Sequence, residues 1–221
     1  MEHIFTKAII LNVIDYNDTQ IIVNAYTSEM GRLTFITSRK KNKIKTKVIL
    51  QPLYLVEIIF KYDNKKEIQR IDNLNIWNPY TDIPNNAGKT FTALFLSELL
   101  LKTLKEQVQN KELFDFCINS FHLFDITTSN WNSFHLNFMI HLTKYLGFYP
   151  TFGILSNEQI LKINPSTVKL IEQLIKISMQ NFTSIKHSRL ERQEILAILI
   201  EYYQKHIPVG VLNSCEVLRQ M

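Results

Sequence analysis

The chain has 221 residues, of which 46% are hydrophobic and 20% are charged. These values are typical of a globular protein and exclude disorder over most of the length. Its two cysteines, Cys117 and Cys215, cannot supply a four-cysteine zinc site. No apolar run reaches the length of about 18 residues that a membrane span needs, and the start lacks a signal-peptide pattern. We therefore expect a cytoplasmic protein.

The positive charge is unevenly distributed. The formal net charge is +5. Residues 1–80 contain 12 Lys/Arg and 8 Asp/Glu, whereas residues 81–221 contain 13 and 12. A localised excess of positive charge favours a polyanionic partner, such as nucleic acid or an acidic membrane surface. The alternative interpretation is a basic face that only contacts solvent.

Residues 1–80 have the pattern of short strands separated by turns. The predicted strands are Ile4–Ile14, Gln20–Thr27, Arg32–Thr37, Leu53–Tyr62 and Lys66–Trp77. Turn signals lie at Asp15–Asp18 and at Ser28–Gly31, where we expect Gly31 to adopt a positive φ. Five strands in about 75 residues predict an OB-fold, a small Greek-key barrel.

The pattern changes after a proline- and asparagine-rich linker at Asn78–Gly88. Helical periodicity follows, and the predicted helices are Lys89–Gln107, Lys111–Phe124, Asn130–Leu146, Ser166–Met179 and Leu190–His206, with a final turn at Cys215–Gln220. Ser156–Asn164 is predicted to be a polar connector. The predicted fold class is therefore α+β, with an OB-fold barrel in residues 1–80 and an all-helical domain in residues 81–221.

The strongest local feature is the basic segment Ser38–Lys47, which contains six cationic residues and no acid. Such a segment can follow a phosphate backbone and supply affinity without reading the base sequence. Together with Arg32 in the third strand, it provides the predicted DNA-binding residues: Arg32, Arg39, Lys40, Lys41, Lys43, Lys45 and Lys47. The alternative interpretation is a solvated surface loop.

Aromatic side chains near the basic segment could stack on unpaired bases. The candidates are Tyr26, Phe35, Tyr54, Phe60 and Tyr62. Phe35 and Phe60 alternate with polar or small residues, so we expect them in the core. Tyr54 and Tyr62 are the better candidates for the surface.

No pattern in the sequence predicts catalysis, a metal site or a cofactor. Ala87–Thr90 (AGKT) resembles the end of a phosphate-binding loop, but Ile83 replaces the required glycine, so we interpret it as a helix start. The six histidines show no metal-ligand spacing, and no GxSxG motif is present. We expect a protein that is not an enzyme.

Several motifs, in order along most of the chain, resemble the RecO family. Those in the N-terminal part are Ala8–Asp18 (AIILNVIDYND), Tyr26–Leu33 (YTSEMGRL), the basic Ser38–Lys41 (SRKK) and Leu50–Leu53 (LQPL); those in the helical part are Leu142–Pro150 (LTKYLGFYP) and Leu212–Leu218 (LNSCEVL). Two features depart from the family pattern. The region after Pro150 lacks the four cysteines that hold zinc in many relatives, and the basic segment lacks the usual glycine.

The resemblance implies a mediator of recombinational DNA repair. Such proteins bind and anneal single-stranded DNA, and with RecR they help load RecA onto DNA coated by the single-strand binding protein SSB. They bind the acidic, phenylalanine-ended tail of SSB in a pocket of the helical domain. A lysine beside an apolar groove would suit that tail, and the candidates are Lys89, Lys102, Lys105 and Lys144.

Two other functions remain open at this point. The chain could be an adaptor whose helical domain binds a protein partner while the basic segment is incidental. It could also be a nuclease, which would need a carboxylate or histidine cluster to hold a metal ion. The acidic residues of residues 1–80 are scattered and mostly lie in turns, which disfavours the nuclease.

Overall fold

A computed structural model of the chain describes residues 3–38, 50–150 and 164–220. The chain divides into two compact units, Met1–Ile118 and Asn119–Met221. Unit 1 contains the β-strands, helix α1 (Ala87–Thr103) and the first part of helix α2 (Lys111–Ile126), and unit 2 contains the remaining helices. The predicted polar connector Ser156–Asn164 falls almost wholly outside the described residues, and so does the basic segment after Ser38.

Unit 1 is built on a closed barrel of five strands, as predicted. The strands are β1 His3–Asp15, β2 Gln20–Thr27, β3 Gly31–Ser38, β4 Leu55–Lys61 and β5 Ile68–Asn78. The strand order around the barrel is β1-β2-β3-β5-β4, and only the β3–β5 pairing is parallel. Together with the helices that follow, this barrel confirms the predicted OB-fold and the α+β class.

The barrel interior is filled by alternate residues of each strand. Val23 and Ala25 of β2, Phe35 of β3, and Ile58 and Phe60 of β4 are completely buried. The rings of Phe35 and Phe60 meet edge to face with centroids 5.1 Å apart. The prediction that both phenylalanines belong to the core is confirmed. The residues that alternate with these along each strand point outward and form the barrel's outer surface.

The turn between β2 and β3 depends on Gly31. Its φ is +65°, and a Cβ atom at this position would lie only 2.6 Å from the backbone oxygens of Glu106 and Val108. The backbone NH of Arg32 donates to the carbonyl of Glu106 over 3.1 Å. The chain from Leu104 onward therefore packs against the start of β3, which explains why α1 ends at Thr103 and not at the predicted Gln107.

The entry to β4 is fixed by an unusual backbone conformation at Leu53. Its φ is +65°, a left-handed conformation that costs a non-glycine residue about 1–2 kcal/mol. The side chain is fully buried, and its NH donates to the carbonyl of Ile10 over 2.7 Å. The hydroxyl of Tyr80 donates to the carbonyl of Leu53 over 3.1 Å. Burial and these hydrogen bonds offset the strain, and β4 begins two residues later than predicted.

Helix α1, Ala87–Thr103, begins inside the AGKT sequence, which confirms the prediction of a helix start. The side chain of Asn86 caps it by accepting hydrogen bonds from the NH groups of Gly88 and Lys89. Lys89 is completely buried, and its ammonium group lies 2.7 Å from a carboxylate oxygen of Asp82. Lys89 therefore ties the linker to the helix and cannot face a partner, so its candidacy for the SSB tail is wrong.

Unit 2 is helical. Its elements are the end of α2 Lys111–Ile126, a 3-10 helix Trp131–Ser133, α3 Phe134–Tyr145, α4 Pro165–Lys176, a 3-10 helix Met179–Ser184, α5 Arg189–His206 and α6 Cys215–Gln220. Its core contains a cluster of phenylalanine rings, among which Phe124 and Phe134 are stacked with centroids 4.3 Å apart. After α3, Gly147 has a φ of +85°, the left-handed conformation that commonly ends a helix.

Two kinds of feature are absent from the described residues. None of their helices is long and apolar enough to span a membrane. Within residues 3–38, 50–150 and 164–220, no group of three or more His, Cys, Asp or Glu residues could hold a metal ion.

The close approach at Gly31 leads to a stability prediction. Gly31→Ala is expected to lower the free energy of unfolding by about 2–4 kcal/mol, because the alanine would meet both left-handed strain and the backbone of Glu106 and Val108. Gly210→Ala is the matched control, since Gly210 has a φ of +61° but no atom within 4 Å of the place that a Cβ would take. Urea denaturation followed by circular dichroism measures both. Equal losses in the two variants would contradict the contact at Gly31.

Candidate nucleic-acid interface

Six of the seven predicted DNA-binding residues lie outside the described residues. They are Arg39, Lys40, Lys41, Lys43, Lys45 and Lys47. The seventh, Arg32, lies on the outer side of β3 and is half-buried. Its Nη1 atom donates to the carbonyl of Leu101 over 2.9 Å and to that of Leu104 over 3.4 Å. Arg32 thus satisfies carbonyl groups at the end of α1, and its binding to DNA stays a prediction.

A ladder of polar side chains crosses the outer surface of β1, β2 and β3. Asn24 is paired in register with Asn12 on one side and with Thr34 on the other. Its Nδ2 donates to Oδ1 of Asn12 over 2.7 Å, and its Oδ1 accepts from the hydroxyl of Thr34 over 2.8 Å. The ladder fixes the orientation of the Asn24 amide. Asn12, at the outer end of the ladder, is a half-buried residue.

A row of isoleucines lies beside this ladder, two residues away from it along each strand. Ile14, Ile22 and Ile36 are in register across β1, β2 and β3, and Ile36 is in turn paired with Arg70 of β5. Ile14 is 48% exposed, although it sits within a strand. We call the surface formed by Asn12, Ile14, Ile22, Asn24, Thr34 and Ile36 the outer β1–β3 face. It combines amide groups with accessible apolar surface, which is what unpaired bases can contact.

Strand β3 ends at Ser38, the residue with which the basic segment begins in the sequence. Ser38 is paired with Gln20 at the start of β2. Residues 39–47 contain the six cationic residues of the segment and lie outside the described residues. In OB-folds, the face of strands 2 and 3 binds oligonucleotides together with the loops between strands 1 and 2 and between strands 4 and 5. The outer β1–β3 face includes strands β2 and β3, and the predicted phosphate-binding segment follows β3 in the sequence.

The aromatic residues are mostly unavailable for stacking. Tyr26 is only 3% exposed and Tyr54 only 6%, so the prediction that Tyr54 lies on the surface is wrong. The ring of Tyr54 packs edge to face against Tyr80, a contact with a distant part of the chain. Burial also raises the pKa of Tyr26, which keeps its hydroxyl protonated. Tyr62 is half-exposed and remains a candidate.

Tyr16 is an exposed aromatic residue two positions after Ile14. It lies in the turn between β1 and β2 with 59% of its surface accessible, and its NH donates to the carbonyl of Gln20 over 3.1 Å. Sequence reasoning did not propose Tyr16 for stacking, nor the residues of the Asn12–Asn24–Thr34 ladder. An asparagine in the middle of QIIVNAYT was the available signal, because asparagine is depleted in strands.

The described barrel residues carry no excess of positive charge. Residues 3–38 and 50–80 contain six Lys/Arg and seven Asp/Glu. The net charge of +4 in residues 1–80 therefore comes entirely from residues 39–49. The excess of positive charge that would attract a polyanion therefore lies in that short stretch of the sequence.

The closed five-stranded barrel places residues 1–80 in the OB-fold class. Comparison with known proteins narrows this class. Residues 1–80 match the model of the family described as recombination protein O N terminal, and residues 85–153 and 155–214 match recombination protein O C terminal. The chain therefore belongs to the RecO family of DNA repair proteins.

Individual relatives agree along nearly the whole length. The chain is similar to a protein of Phocaeicola vulgatus named DNA repair protein RecO, with 30% identity over 98% of both chains. The protein of the same name from Bacteroides fragilis is 31% identical over 98% of both chains. A third, from Azobacteroides pseudotrichonymphae, is 31% identical over 91% of both. The resemblance drawn from the sequence motifs is confirmed.

Arg32 can be tested for a structural and a DNA-binding role at once. Arg32→Ala is expected to lower the free energy of unfolding by about 1–2 kcal/mol, because the carbonyls of Leu101 and Leu104 lose a charged donor. If Arg32 also contacts a phosphate, the slope of log K against log salt for single-stranded DNA should become shallower by about 0.7. Arg32→Lys is the control, because it keeps the charge and loses the planar donor group. An unchanged slope in Arg32→Ala would remove Arg32 from the DNA-binding residues.

Proposed function

We propose that this chain is a recombination mediator without enzymatic activity. It binds single-stranded DNA, promotes annealing of complementary strands and, with RecR, helps load RecA onto DNA coated by SSB. Membership in the RecO family supports the repair role. The observation that carries the DNA-binding part is the position of six cations immediately after Ser38, at the edge of the outer β1–β3 face.

The proposed interface has two parts, one that contacts phosphates and one that contacts bases. The cations of residues 39–47 neutralise phosphates, which provides affinity that is independent of sequence. The outer β1–β3 face contacts the bases through Ile14, Ile22 and Ile36, whose aliphatic side chains do not distinguish one base from another. Such a division suits a protein that handles any unpaired strand.

Annealing needs no covalent chemistry from the protein. Two complementary strands repel each other through their phosphates, and cationic side chains on one strand reduce that repulsion. The strands must then exchange protein contacts for base pairs, which requires contacts that are individually weak. Aliphatic contacts and single ammonium charges meet that requirement better than deep, base-specific pockets would.

The partners RecR and SSB rest on the family resemblance. Among the lysines considered for the SSB tail, Lys102 lies 3.1 Å from a carboxylate oxygen of Glu98 on the same helix. Lys105 and Lys144 are exposed. These three lysines remain candidates.

The basic segment provides the main test of DNA binding. Changing Lys40, Lys41 and Lys43 to alanine together is expected to weaken binding to a fluorescent oligo-dT by at least about tenfold at low salt, because three of about six phosphate contacts are lost. The slope of log K against log salt, about −4 for six neutralised phosphates, should become shallower by about 2. Fluorescence anisotropy at several salt concentrations gives both quantities.

The control for this test removes the same charge elsewhere. Lys111, Lys144 and Lys205 are exposed and lie on helices, so their triple change to alanine lowers the net charge equally. This control should keep both the affinity and the slope. If the two triple variants lose affinity to the same extent, attraction depends on net charge alone and the basic segment has no special part in it.

The isoleucine row can be tested separately from the charges. Ile14→Ala is expected to weaken oligo-dT binding about fivefold without altering the salt slope, because apolar contact with the bases is worth about 0.8 kcal/mol per buried CH2 group. Ile126→Ala is the matched control, since Ile126 is 57% exposed in the helical unit. Equal affinities for the two variants would exclude Ile14 from the interface.

A further inference from the structure

A second outer surface of the barrel lies on β1, β4 and β5 and shares no residue with the outer β1–β3 face. Three rows of exposed or half-buried residues cross it in register: His3, Lys61 and Arg70; Phe5, Ile59 and Asn73; and Lys7, Glu57 and Asn75. We call the part formed by Phe5, Lys7, Glu57 and Ile59 the outer β1–β4 face. It belongs entirely to unit 1.

Phe5 provides accessible apolar surface within a regular strand. It is 53% exposed, whereas its neighbour Thr6 is only 1% exposed. Ile59, its register partner on β4, is half-buried. Aromatic side chains are enriched at the centres of protein interfaces, because covering a large ring removes much apolar surface from water. The Phe5–Ile59 pair is therefore suited to the centre of a contact with another protein.

A cation and an acid lie side by side on the same face. The ammonium group of Lys7 lies 3.9 Å from the centroid of the Trp77 ring, a contact that holds the lysine in place. Trp77 is on β5, so the lysine side chain crosses β4, where Glu57 is its register partner. Glu57 is half-buried, and within the described residues its carboxylate has neither a hydrogen bond nor an ion pair. A charge of each sign is therefore available to a partner.

The outer β1–β4 face is complementary to itself. Strands β1 and β4 are antiparallel, and the pairs Phe5–Ile59 and Lys7–Glu57 lie two residues apart along them. In a symmetric dimer, each contact occurs twice, from residue i to residue j and from j to i. A two-fold axis that runs between β1 and β4 brings each residue of β1 to its own register partner in the other copy. Phe5 then meets Ile59, and Lys7 meets Glu57, twice each.

We infer that the outer β1–β4 face binds a second copy of this chain and forms a symmetric, concentration-dependent dimer. The contacts between Phe5 and Ile59 provide the apolar centre, and the two pairs of Lys7 with Glu57 fix the register of the copies. The dimer does not depend on the proposed function, because it forms without DNA. If that function holds, the dimer brings two bound strands together for annealing.

Other occupants fit this face less well. The carboxylate of Glu57 would repel the phosphates of a nucleic acid, and so would that of Asp72, which lies 3.4 Å from His3 at one end of the surface. A partner of uniform charge would place a like charge against either Lys7 or Glu57. In the dimer, by contrast, both of these charges meet an opposite charge.

Sedimentation velocity of the full chain without DNA tests the dimer. We expect a monomer–dimer equilibrium in which the dimer fraction rises with chain concentration. Phe5→Ser should weaken the dimer at least about tenfold, because apolar surface is lost from two symmetric contacts. Val211→Ser is the matched control, since Val211 is 74% exposed in the helical unit. A monomer at every concentration, or equal dimer affinities in the two variants, would overturn the inference.

A charge exchange tests the pairing of Lys7 with Glu57 across the axis. Lys7→Glu and Glu57→Lys should each weaken the dimer at least about tenfold, because like charges then face each other twice. An equal mixture of the two variants should dimerise as the unaltered chain does, because the copy with two acids meets the copy with two lysines. This recovery also shows that both variants are folded. A mixture that stays as monomeric as its components would contradict the predicted pairing.

The same variants separate this inference from the proposed DNA function. Phe5→Ser leaves the net charge unchanged and should bind oligo-dT as the unaltered chain does, while the triple variant at Lys40, Lys41 and Lys43 should still dimerise. A chain that dimerises but ignores oligo-dT would refute the proposed function and support the dimer. Loss of oligo-dT binding in a folded Phe5→Ser variant, without a change in its dimer affinity, would show a nucleic-acid site and overturn the dimer assignment.

Discussion

Closure of the barrel depends on a short parallel contact between β3 and β5. Only three residue pairs form it, Thr34 with Ile68, Phe35 with Gln69, and Ile36 with Arg70. This contact makes the sheet a barrel, and it presents Thr34 and Ile36 outward while Phe35 fills the interior. The outer β1–β3 face, its polar ladder and the position at which the basic segment leaves β3 all follow from that closure. A slip of one residue would exchange the two faces.

Much of the fold could be predicted from local patterns. Strand β2 begins and ends at the predicted Gln20 and Thr27, because period-two alternation and flanking turns mark both ends. The turn signal at Ser28–Gly31 was enough to predict the positive φ that Gly31 adopts. Boundaries that are set by contacts between distant residues were not predicted. Helix α1 ends early because the following residues pack against β3. Strand β4 begins late because Leu53 is held in a left-handed conformation.

The candidate site was also predicted only in part, because contacts between residues that are distant in the sequence decide much of it. A run of Lys and Arg residues can be read directly from a sequence, so the basic segment was predicted without a structure. The partners of Asn24 were not predicted, because a register shift between Ile10 and Asn12 decides which residue of β1 lies opposite Asn24. Tyr54 was misjudged because Tyr80, 26 positions further along the chain, covers its ring.

The separation of charge from the barrel framework has a consequence for how a strand would be held. The described barrel residues are slightly acidic as a group, so a bound polyanion gains little by spreading over the rest of the barrel surface. In the proposed function, a DNA strand attached mainly through residues 39–49 would behave as a tethered polymer whose remaining nucleotides sample many conformations. Such a tether would raise the local concentration of bases without fixing their geometry. A complementary strand would then pair with the free portion first and displace the attachment step by step.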